Sequence, residues 1–331
     1  GNDDMIGGSS ATNGAIVAGR VGTDASDSGE TLISGGPGND WIAGDNARMD
    51  RVLAGLSLGD PLNPLVLFDL AGTDKAAVLA AAHGGDTLQG DEGTDLMFGQ
   101  GSNDTMSGGD APDYMEGNDG NDAMSGDDGD DDMVGGGSAY DGIIDEVRVG
   151  EKLWDEGETL MSGGDGVDWM AGDNAFMNRV LFPASTLPLD LFDVNSSDIN
   201  VSGGDIMNGD DGEDLMFGQG NGAQGDQSDP ADGNVDNDGD GDADEDGPGW
   251  LGDIMFGGAD DDYMEGNHGS DLMYGEGGDD DLIGGGSAFN GLYVPNRIGD
   301  DLNDERDTIY GGDGQDVIAG DNARINRGAD A

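Results

Sequence analysis

Aspartates recur at nine-residue intervals in the most regular stretch of the chain, residues 90–134, a run of five nonapeptides with no residue out of step. The sixth positions of these nonapeptides are Asp95, Asp104, Asp113, Asp122 and Asp131. If two nonapeptides make one coil, alternate aspartates stack on the same edge, and stacked carboxylates repel unless a cation lies between them. A hard cation that takes six or more carboxylate and carbonyl oxygens relieves this repulsion, and flexible geometry favours calcium over magnesium. The spacing therefore predicts rows of calcium sites along both edges of a coil.

The same phase continues outside this stretch. The in-phase aspartates expected to bind calcium are Asp3, Asp40, Asp86, Asp95, Asp104, Asp113, Asp122, Asp131, Asp168, Asp205, Asp214, Asp253, Asp262, Asp271, Asp280, Asp307 and Asp316. Because each site is expected to draw on two neighbouring coils, these residues predict on the order of ten or more ions.

The period also predicts the elements that position these aspartates. A nine-residue repeat fits no helix or coiled coil, but it is typical of a parallel β-helix in which each nonapeptide is one turn and one short strand. Glycines at the first, second and fourth positions are expected to allow positive φ in the turn. The last three residues should form the strand, with the eighth side chain inward and the seventh and ninth outward. Thirteen of the 15 methionines occupy the eighth position, where about one in nine would fall at random, so they should form the core.

These nonapeptides, among them GDEGTDLMF from Gly90 and GNDGNDAMS from Gly117, resemble the GGxGxDxUx repeat of the RTX (hemolysin-type calcium-binding) family. The resemblance implies an all-β fold, a right-handed parallel β-roll (β-helix) solenoid loaded with calcium, with sixth-position aspartates and turn carbonyls as ligands. One departure is Met at the eighth position, where Leu or Ile is more usual. Because Met is flexible, the thin core is expected to tolerate change.

A second kind of candidate calcium segment interrupts the repeats at residues 221–251. Its run DNDGDGDADED resembles the acidic calcium loops of EF-hands and thrombospondin type 3 repeats. The alternate carboxylates of Asp236, Asp238 and Asp240 can converge on one ion. The twelfth position of this loop is Gly247 rather than Glu, so the bidentate ligand is missing. A specific calcium site and a solvated acidic loop therefore both remain open.

A longer repeat lies above the nonapeptides. The phrase GDNA recurs at Gly44, Gly172 and Gly320, which indicates two supermodules and the start of a third. The predicted segments are 1–49 (partial first supermodule with a short array), 50–83 (apolar excursion), 84–138 (long array), 139–177 (excursion and short array), 178–200 (apolar excursion), 201–287 (array with the acidic insert) and 288–331 (start of the third supermodule). The two apolar excursions contain several prolines and are expected to be irregular loops that cover one outer face of the roll.

Some outward positions are apolar as well, for example Leu215, Phe217, Phe256 and Tyr274. Strands that are apolar on both sides are expected to be covered on both sides. Cover within the chain and a contact between chains both remain open. A contact between chains would allow self-association into fibres or layers.

The composition limits the classes of partner. The chain has 331 residues, 67 of them Gly, no Cys, and 73 acidic residues against 11 basic ones, for a net charge of −62. A chain of this charge resists collapse and is expected to fold only when divalent cations neutralise it. The charge excludes nucleic acid as a partner, and no segment indicates membrane insertion. No signal peptide is visible and the chain starts at Gly1 rather than Met, which predicts a processed, trimmed or partial chain.

No residue pattern indicates an enzyme. The two histidines, His83 and His268, lack metal-ligand spacing and are expected to be exposed loop residues, and no catalytic nucleophile motif is visible. The sequence therefore predicts a calcium-dependent structural protein, a segment of a secreted adhesin, surface layer or filament. The alternative is a calcium-folded RTX module of a larger secreted enzyme or toxin exported by a type I system. Extracellular modules bind calcium at roughly 10⁻⁴ to 10⁻³ M, which favours a secreted, extracellular or cell-surface location.

Overall fold

The computed structural model describes residues 1–8, 29–45, 47–49, 65–67, 84–137, 157–177, 189–191, 204–219, 252–286, 307–323 and 325. Within these ranges the chain forms β-strands joined by turns and contains no helix. Accordingly, this part of the chain has no helix that is long and apolar enough to cross a membrane. The all-β prediction is confirmed.

Two large parallel sheets contain most of the strands, which are numbered along the chain. The ten-stranded sheet contains, in spatial order, β1 (Asp4–Ile6), β3 (Trp41–Ala43), β7 (Leu96–Gly101), β9 (Tyr114–Asp119), β11 (Asp132–Val134), β13 (Trp169–Ala171), β17 (Leu215–Gln219), β19 (Tyr263–Asn267), β21 (Asp281–Ile283) and β23 (Val317–Ala319). The nine-stranded sheet contains β2 (Ile33–Ser34), β6 (Thr87–Glu92), β8 (Thr105–Asp110), β10 (Ala123–Asp128), β12 (Leu160–Asp165), β16 (Ile206–Asp211), β18 (Ile254–Ala259), β20 (Leu272–Gly277) and β22 (Thr308–Asp313). Successive strands of an array alternate between the two sheets, so two nonapeptides make one coil.

Equivalent residues of neighbouring coils pair directly. In the ten-stranded sheet Met115 pairs with Met97 on one side and with Met133 on the other. In the nine-stranded sheet Met124 pairs with Met161, although an excursion separates them in sequence. The register therefore continues across the excursion, and the predicted parallel β-roll is confirmed.

The strands are longer than predicted. Strand β6 has six residues, the last three of one nonapeptide and the first three of the next, so only the fourth to sixth positions form the turn. The second position lies inside the strand with positive φ, 83° at Gln100 and 80° at Asn118. Polar side chains occupy this region more readily than branched ones, which is why glycine is not required there.

The eighth-position methionines form the core between the two sheets. Met97, Met115, Met133, Met170 and Met216 are fully buried, and they belong to one apolar cluster that runs along the roll. The prediction that this position points inward is confirmed. Each coil thus contributes two core side chains, and the core is thin but continuous.

The outer face of the ten-stranded sheet is covered by this chain itself. Two short antiparallel pairs leave the roll just after the GDNA phrases: β4 (Ala47–Met49) with β5 (Leu65–Leu67), and β14 (Ala175–Met177) with β15 (Leu189–Leu191). Ala175 and Met177 are buried in a second cluster with Phe98, Val134 and Phe217. Intrachain cover is therefore present here, and the part of each apolar excursion that is described forms strands rather than the expected irregular loops.

The expectation for His268 is wrong. His268 follows β19 on the covered sheet and is 8% exposed, and its backbone N–H donates to the carbonyl of Gln219 at 2.7 Å. The prediction of an exposed loop residue is wrong because residues of the neighbouring coil, such as Gln219, are remote from His268 in sequence. The other histidine, His83, lies outside the described residues.

The outer face of the nine-stranded sheet changes character along the roll. In β8 and β10 the outward residues are small or polar, whereas in β18, β20 and β22 they form a row of stacked rings. The centroids of Phe256 and Tyr274 are 5.2 Å apart with the rings 5° from parallel, and those of Tyr274 and Tyr310 are 4.9 Å apart and 8° from parallel. Tyr310 is 52% exposed and Ile206 37% exposed, so apolar surface reaches solvent on this face.

Candidate calcium sites

The sixth-position aspartates form a hydrogen-bonded ladder along one edge of the roll. The backbone N–H of Asp95 donates to Oδ1 of Asp113, and that of Asp113 donates to Oδ1 of Asp131, both at 2.7 Å. The members of this first ladder are, in order, Asp3, Asp40, Asp95, Asp113, Asp131, Asp168, Asp214, Asp262, Asp280 and Asp316. The expected stacking of alternate aspartates is confirmed.

A second ladder follows the other edge. The N–H of Asp104 donates to Oδ1 of Asp122, also at 2.7 Å. The members of this second ladder are Glu30, Asp86, Asp104, Asp122, Glu158, Asp205, Asp253, Asp271 and Asp307. Every in-phase aspartate of the sequence prediction therefore lies on one of the two ladders, whereas Asp236, Asp238 and Asp240 lie outside the described residues.

The two oxygens of each carboxylate have different surroundings. Oδ1 accepts the N–H of the neighbouring coil, which stabilises an ionised acid. Oδ2 is buried, and it has no hydrogen-bond partner among the described residues at Asp40, Asp104, Asp113, Asp205 and Asp262. A carboxylate oxygen withdrawn from water without a partner is costly. A cation beside Oδ2 would remove that cost.

A carbonyl oxygen of the next coil faces the same point as Oδ2. A Cβ atom on Gly35 would lie 2.5 Å from Oδ2 of Asp40 and 2.7 Å from the carbonyl oxygen of Gly90. We call this arrangement a cradle: a first-position glycine, the acid that faces it, and the carbonyl of the equivalent glycine one coil on. The same arrangement is found at Gly44, Gly90, Gly99, Gly108, Gly117, Gly126, Gly163, Gly172, Gly209, Gly218, Gly257, Gly266, Gly275 and Gly284.

The cradle gives first-position glycine a role that the sequence did not predict. None of these glycines has φ in the left-handed region, unlike the fourth-position glycines Gly93 and Gly120, with φ of 137° and 153°. The prediction of positive φ at the first position is therefore wrong. Glycine is needed there because a side chain would fill the space on which the two oxygens converge.

The donor set fits calcium. Each cradle offers one carboxylate oxygen and one carbonyl oxygen from neighbouring coils, and hard oxygen donors in flexible geometry are what calcium takes. Among the described residues no three His, Cys, Asp or Glu side chains converge on one point. An ion in a cradle would therefore complete its ligands with turn carbonyls rather than with further side chains.

The pKa values of the buried acids reflect the same electrostatic conflict. The pKa of Asp104 is raised to about 10, mainly by burial and also by the negative charge of Asp122. Burial also raises the pKa of Asp113 to about 9, of Asp262 to about 8 and of Asp205 to about 6. The N–H bonds to Oδ1 lower these pKa values but do not offset burial. Without a cation, the cradles of Asp104, Asp113 and Asp262 therefore favour a protonated acid at neutral pH.

Two glutamates that the sequence reasoning missed take the place of aspartate in the second ladder. The N–H of Glu158 donates to Oδ1 of Asp205 at 2.7 Å, and Oε2 of Glu158 faces Gly135. Glu30 faces Gly7 in the same way. Both glutamates are one residue out of phase, because an extra threonine separates each from its strand. The recurring phrase GETL, which contains both, is the signal that could have identified them.

Each of three excursions lies, in sequence, between the glycine and the acid of a single cradle. Gly44 and the acid that faces it, Asp86, are separated by the first apolar excursion, and Gly172 and Asp205 by the second. Gly218 is similarly separated from Asp253 by the acidic insert. The chain thus returns to complete the cradle from which it departed, and the ladders continue.

Compared with known protein families, the chain matches the RTX calcium-binding nonapeptide repeat at residues 26–47, 84–115, 107–139, 249–287 and 303–323. These matches cover less than half of the chain, but they fall on the arrays that form the ladders. No curated protein matches the chain. Repeats of this kind bind calcium, and several copies are present.

Proposed function

Because this chain carries RTX calcium-binding nonapeptide repeats and binds several calcium ions, we propose that it is an extracellular structural protein that folds when calcium binds. In this proposal it is a segment of a secreted adhesin, a surface layer or a filament, and its supermodules are architectural units repeated for length. The observation that carries the proposal is the continuity of the two acid ladders, which run along both large sheets and across the excursions. A roll with a long row of cradles along each edge supports a role in spacing and stiffness.

We assign the calcium ligands to the cradles. Each ion is held by Oδ2 of a ladder aspartate and by the carbonyl oxygen of the facing glycine, and Glu30 and Glu158 serve in place of aspartate. The support is the convergence of these two oxygens at each cradle and the burial of Oδ2. Binding neutralises the stacked carboxylates, so folding and calcium binding are one coupled process.

An extracellular location is consistent with this coupling of folding to calcium binding. RTX repeats are typical of proteins that type I systems secrete. Extracellular modules bind calcium at roughly 10⁻⁴ to 10⁻³ M, so such a chain stays unfolded inside a cell and folds outside it. The net charge of −62 keeps the unfolded chain from collapsing before export.

Self-association through the outer face of the nine-stranded sheet is part of the proposal, with a second copy of the chain as the partner. The support is the stacked row of Phe256, Tyr274 and Tyr310 and the exposure of Tyr310 and Ile206. The rings stack on each other, so they present their edges and not their faces to solvent. A flat apolar strip of this kind suits another sheet better than a sugar.

Circular dichroism of the full chain, with calcium and after chelation, tests the proposed function. We expect a β-sheet spectrum with calcium and a disordered spectrum at neutral pH after chelation, because the uncompensated carboxylates repel. Adding calcium back should restore the sheet, and an equal concentration of magnesium should do so poorly. A β-sheet spectrum that survives chelation at neutral pH contradicts the proposal.

The alternative function, an RTX module of a larger secreted enzyme or toxin, is distinguished by the full reading frame. The RTX repeat is a structural calcium-binding repeat and is not catalytic in itself. Many further supermodules in the reading frame would favour the structural protein. A single upstream catalytic domain would favour the alternative.

A further inference from the structure

A third row of oxygen-bearing side chains runs beside the second ladder, on the covered face of the ten-stranded sheet. We call it the corner row. It is formed by second-position residues, all with 0% of their surface exposed: Asp45, Gln100, Asn118, Asp173, Gln219 and Asn267. The order Asp, Gln, Asn occurs once in each supermodule. The cradles do not use these side chains.

In this row, hydrogen bonds orient the amide groups of Gln219 and Asn267 through their nitrogen atoms. Nε2 of Gln219 donates to the carbonyl oxygen of Asn174 at 3.0 Å, which holds the amide against the corner where Asp173 lies. Oε1 of Gln219 is buried without a hydrogen-bond partner among the described residues. On the next coil Asn267 pairs in register with Gln219. Its Nδ2 donates to Glu265, and its Oδ1 is likewise buried without a partner.

The chemistry of this corner is that of a cation site. A buried neutral oxygen without a donor is costly. That cost falls if Oε1 of Gln219 and Oδ1 of Asn267 share a hard cation. One carboxylate, two amide oxygens and a carbonyl are all ligand types that calcium accepts, and such a set contains only one acid. It therefore agrees with the absence of three converging acids in the described ranges.

We propose that Asp173, Gln219 and the carbonyl of Asn174, with Oδ1 of Asn267, hold a further calcium ion beneath β14. Asp45 and Gln100 form the corresponding site in the first supermodule, where the N–H of Gly101 donates to Oδ2 of Asp45 at 3.2 Å. This ion lies on the covered face rather than in an edge cradle. It links the roll to the strand that covers it.

The test counts calcium ions bound per folded full-length chain by equilibrium dialysis at saturating calcium. Gln219→Leu removes the amide oxygen at nearly constant volume and should lose one ion. Gln89→Leu is the matched control, because Gln89 is partly buried on the nine-stranded sheet and outside the corner row, and it should keep the full number. An unchanged count in Gln219→Leu overturns the proposal.

A second variant settles the case in which the leucine variant does not fold. Gln219→Glu places a second carboxylate at the corner. If an ion is bound there, the thermal midpoint at saturating calcium should stay the same or rise. If no ion is bound, the midpoint should fall, because a charge is buried without compensation and the hydrogen bond from Nε2 to Asn174 is lost, and the proposal is overturned. A roll that folds with calcium but fails either test refutes the corner site alone and leaves the proposed function standing.

Discussion

At the scale of the residue, the two oxygens of a ladder aspartate have different roles. Oδ1 accepts an N–H from the neighbouring coil, and Oδ2 faces the cradle. Asparagine could reproduce the first contact but would present an amide nitrogen or a neutral oxygen to the cation. Glutamate reaches the cradle only where the chain contains an extra residue, as at Glu30 and Glu158. The side-chain length and the charge are therefore both required.

The first prediction concerns the space in a cradle. Gly275→Ala places a methyl group against Oδ2 of Asp280 and the carbonyl of Gly311, so we expect folding to need a higher calcium concentration. Gly277→Ala is the matched control in the same strand. Its Cβ would meet only the carbonyl of Gly258, at 3.7 Å, which is ordinary contact. Calcium titrations followed by circular dichroism compare the two, and equal midpoints would contradict the role assigned to first-position glycine.

The second prediction concerns pH. The pKa values of Asp104, Asp113 and Asp262 are raised in the fold to about 10, 9 and 8 from the ordinary 3.8. Without calcium, these carboxyls lose their protons near pH 4 in the unfolded chain but only near pH 8 to 10 in the fold. The free energy of unfolding therefore decreases as the pH rises from about 4 until it passes these raised pKa values. Acidification of the chelated protein from pH 7 towards pH 4 should therefore recover β-sheet signal.

The calcium-loaded protein should show the opposite slope. Its ligand carboxylates must be ionised to hold the cation, so acidification releases calcium and lowers the stability of the loaded form. Thermal midpoints measured across this pH range, with calcium and with chelator, supply the comparison. Parallel pH profiles in the two conditions would show that these carboxyls do not exchange protons for calcium.

At the scale of the element, each strand contributes a single side chain to the core. Met115 is fully buried between Met97 and Met133 of the adjoining coils. A core of this thickness has no second layer to absorb a void, yet Met itself adapts to the shape of its neighbours.

The third prediction follows from that packing. Met115→Ala should lower the free energy of unfolding in saturating calcium by about 2–5 kcal/mol, because it leaves a cavity. Met115→Leu keeps the volume and should cost less than about 1.5 kcal/mol. Urea denaturation of both variants measures the difference. Similar losses for the two would mean that side-chain shape, rather than volume, decides the stability of the core.

The sequence predicted those features of the elements that every nonapeptide determines locally. The nine-residue period predicted the coil, the register and the inward Met, because each is repeated by every nonapeptide. The lengths of the six-residue strands were not predicted. Positive φ at the second position was expected to mark a turn with glycine, but Gln100 and Asn118 adopt it inside strands. Glu30 and Glu158 were missed because they are out of phase.

The burial of His268 and of the corner row could not be predicted from the period. The corner row lies beside the cover of the ten-stranded sheet, which β4 and β14 begin, since the amide of Gln219 donates to the carbonyl of Asn174, just before β14. Those strands belong to excursions outside the repeat, and their position over the sheet is a tertiary contact. A pattern that repeats every nine residues contains no information about such contacts.

At the scale of the whole molecule, a net charge of −62 is distributed over a roll whose two outer faces differ. The chain covers the ten-stranded sheet around Phe98, Val134 and Phe217, although Val317 at its end is 39% exposed. The nine-stranded sheet has apolar side chains in contact with solvent at Ile206 and Tyr310. An exposed apolar strip on so acidic a molecule is a candidate contact, and bound calcium reduces the repulsion between copies.

The fourth prediction is that this strip mediates self-association. Phe256→Ser with Tyr274→Ser should leave the monomer folded in calcium but reduce its assembly, which analytical ultracentrifugation measures. Thr105→Ser with Ala123→Ser, on the polar part of the same face, is the control and should assemble normally. If assembly survives the loss of both rings, this face is not the contact.

The position of the excursions has one more consequence. Gly44 and Asp86, or Gly172 and Asp205, belong to one cradle although a long excursion lies between them. An ion bound there joins two distant points of the backbone and closes a loop, as a disulfide does in many other proteins. In a chain without cysteine, calcium can thus serve as a reversible cross-link whose occupancy is set by the calcium concentration of the surroundings. The entropy of closing such a loop grows only slowly with its length, so these segments are free to lengthen or diverge while the rod beneath them keeps its pitch.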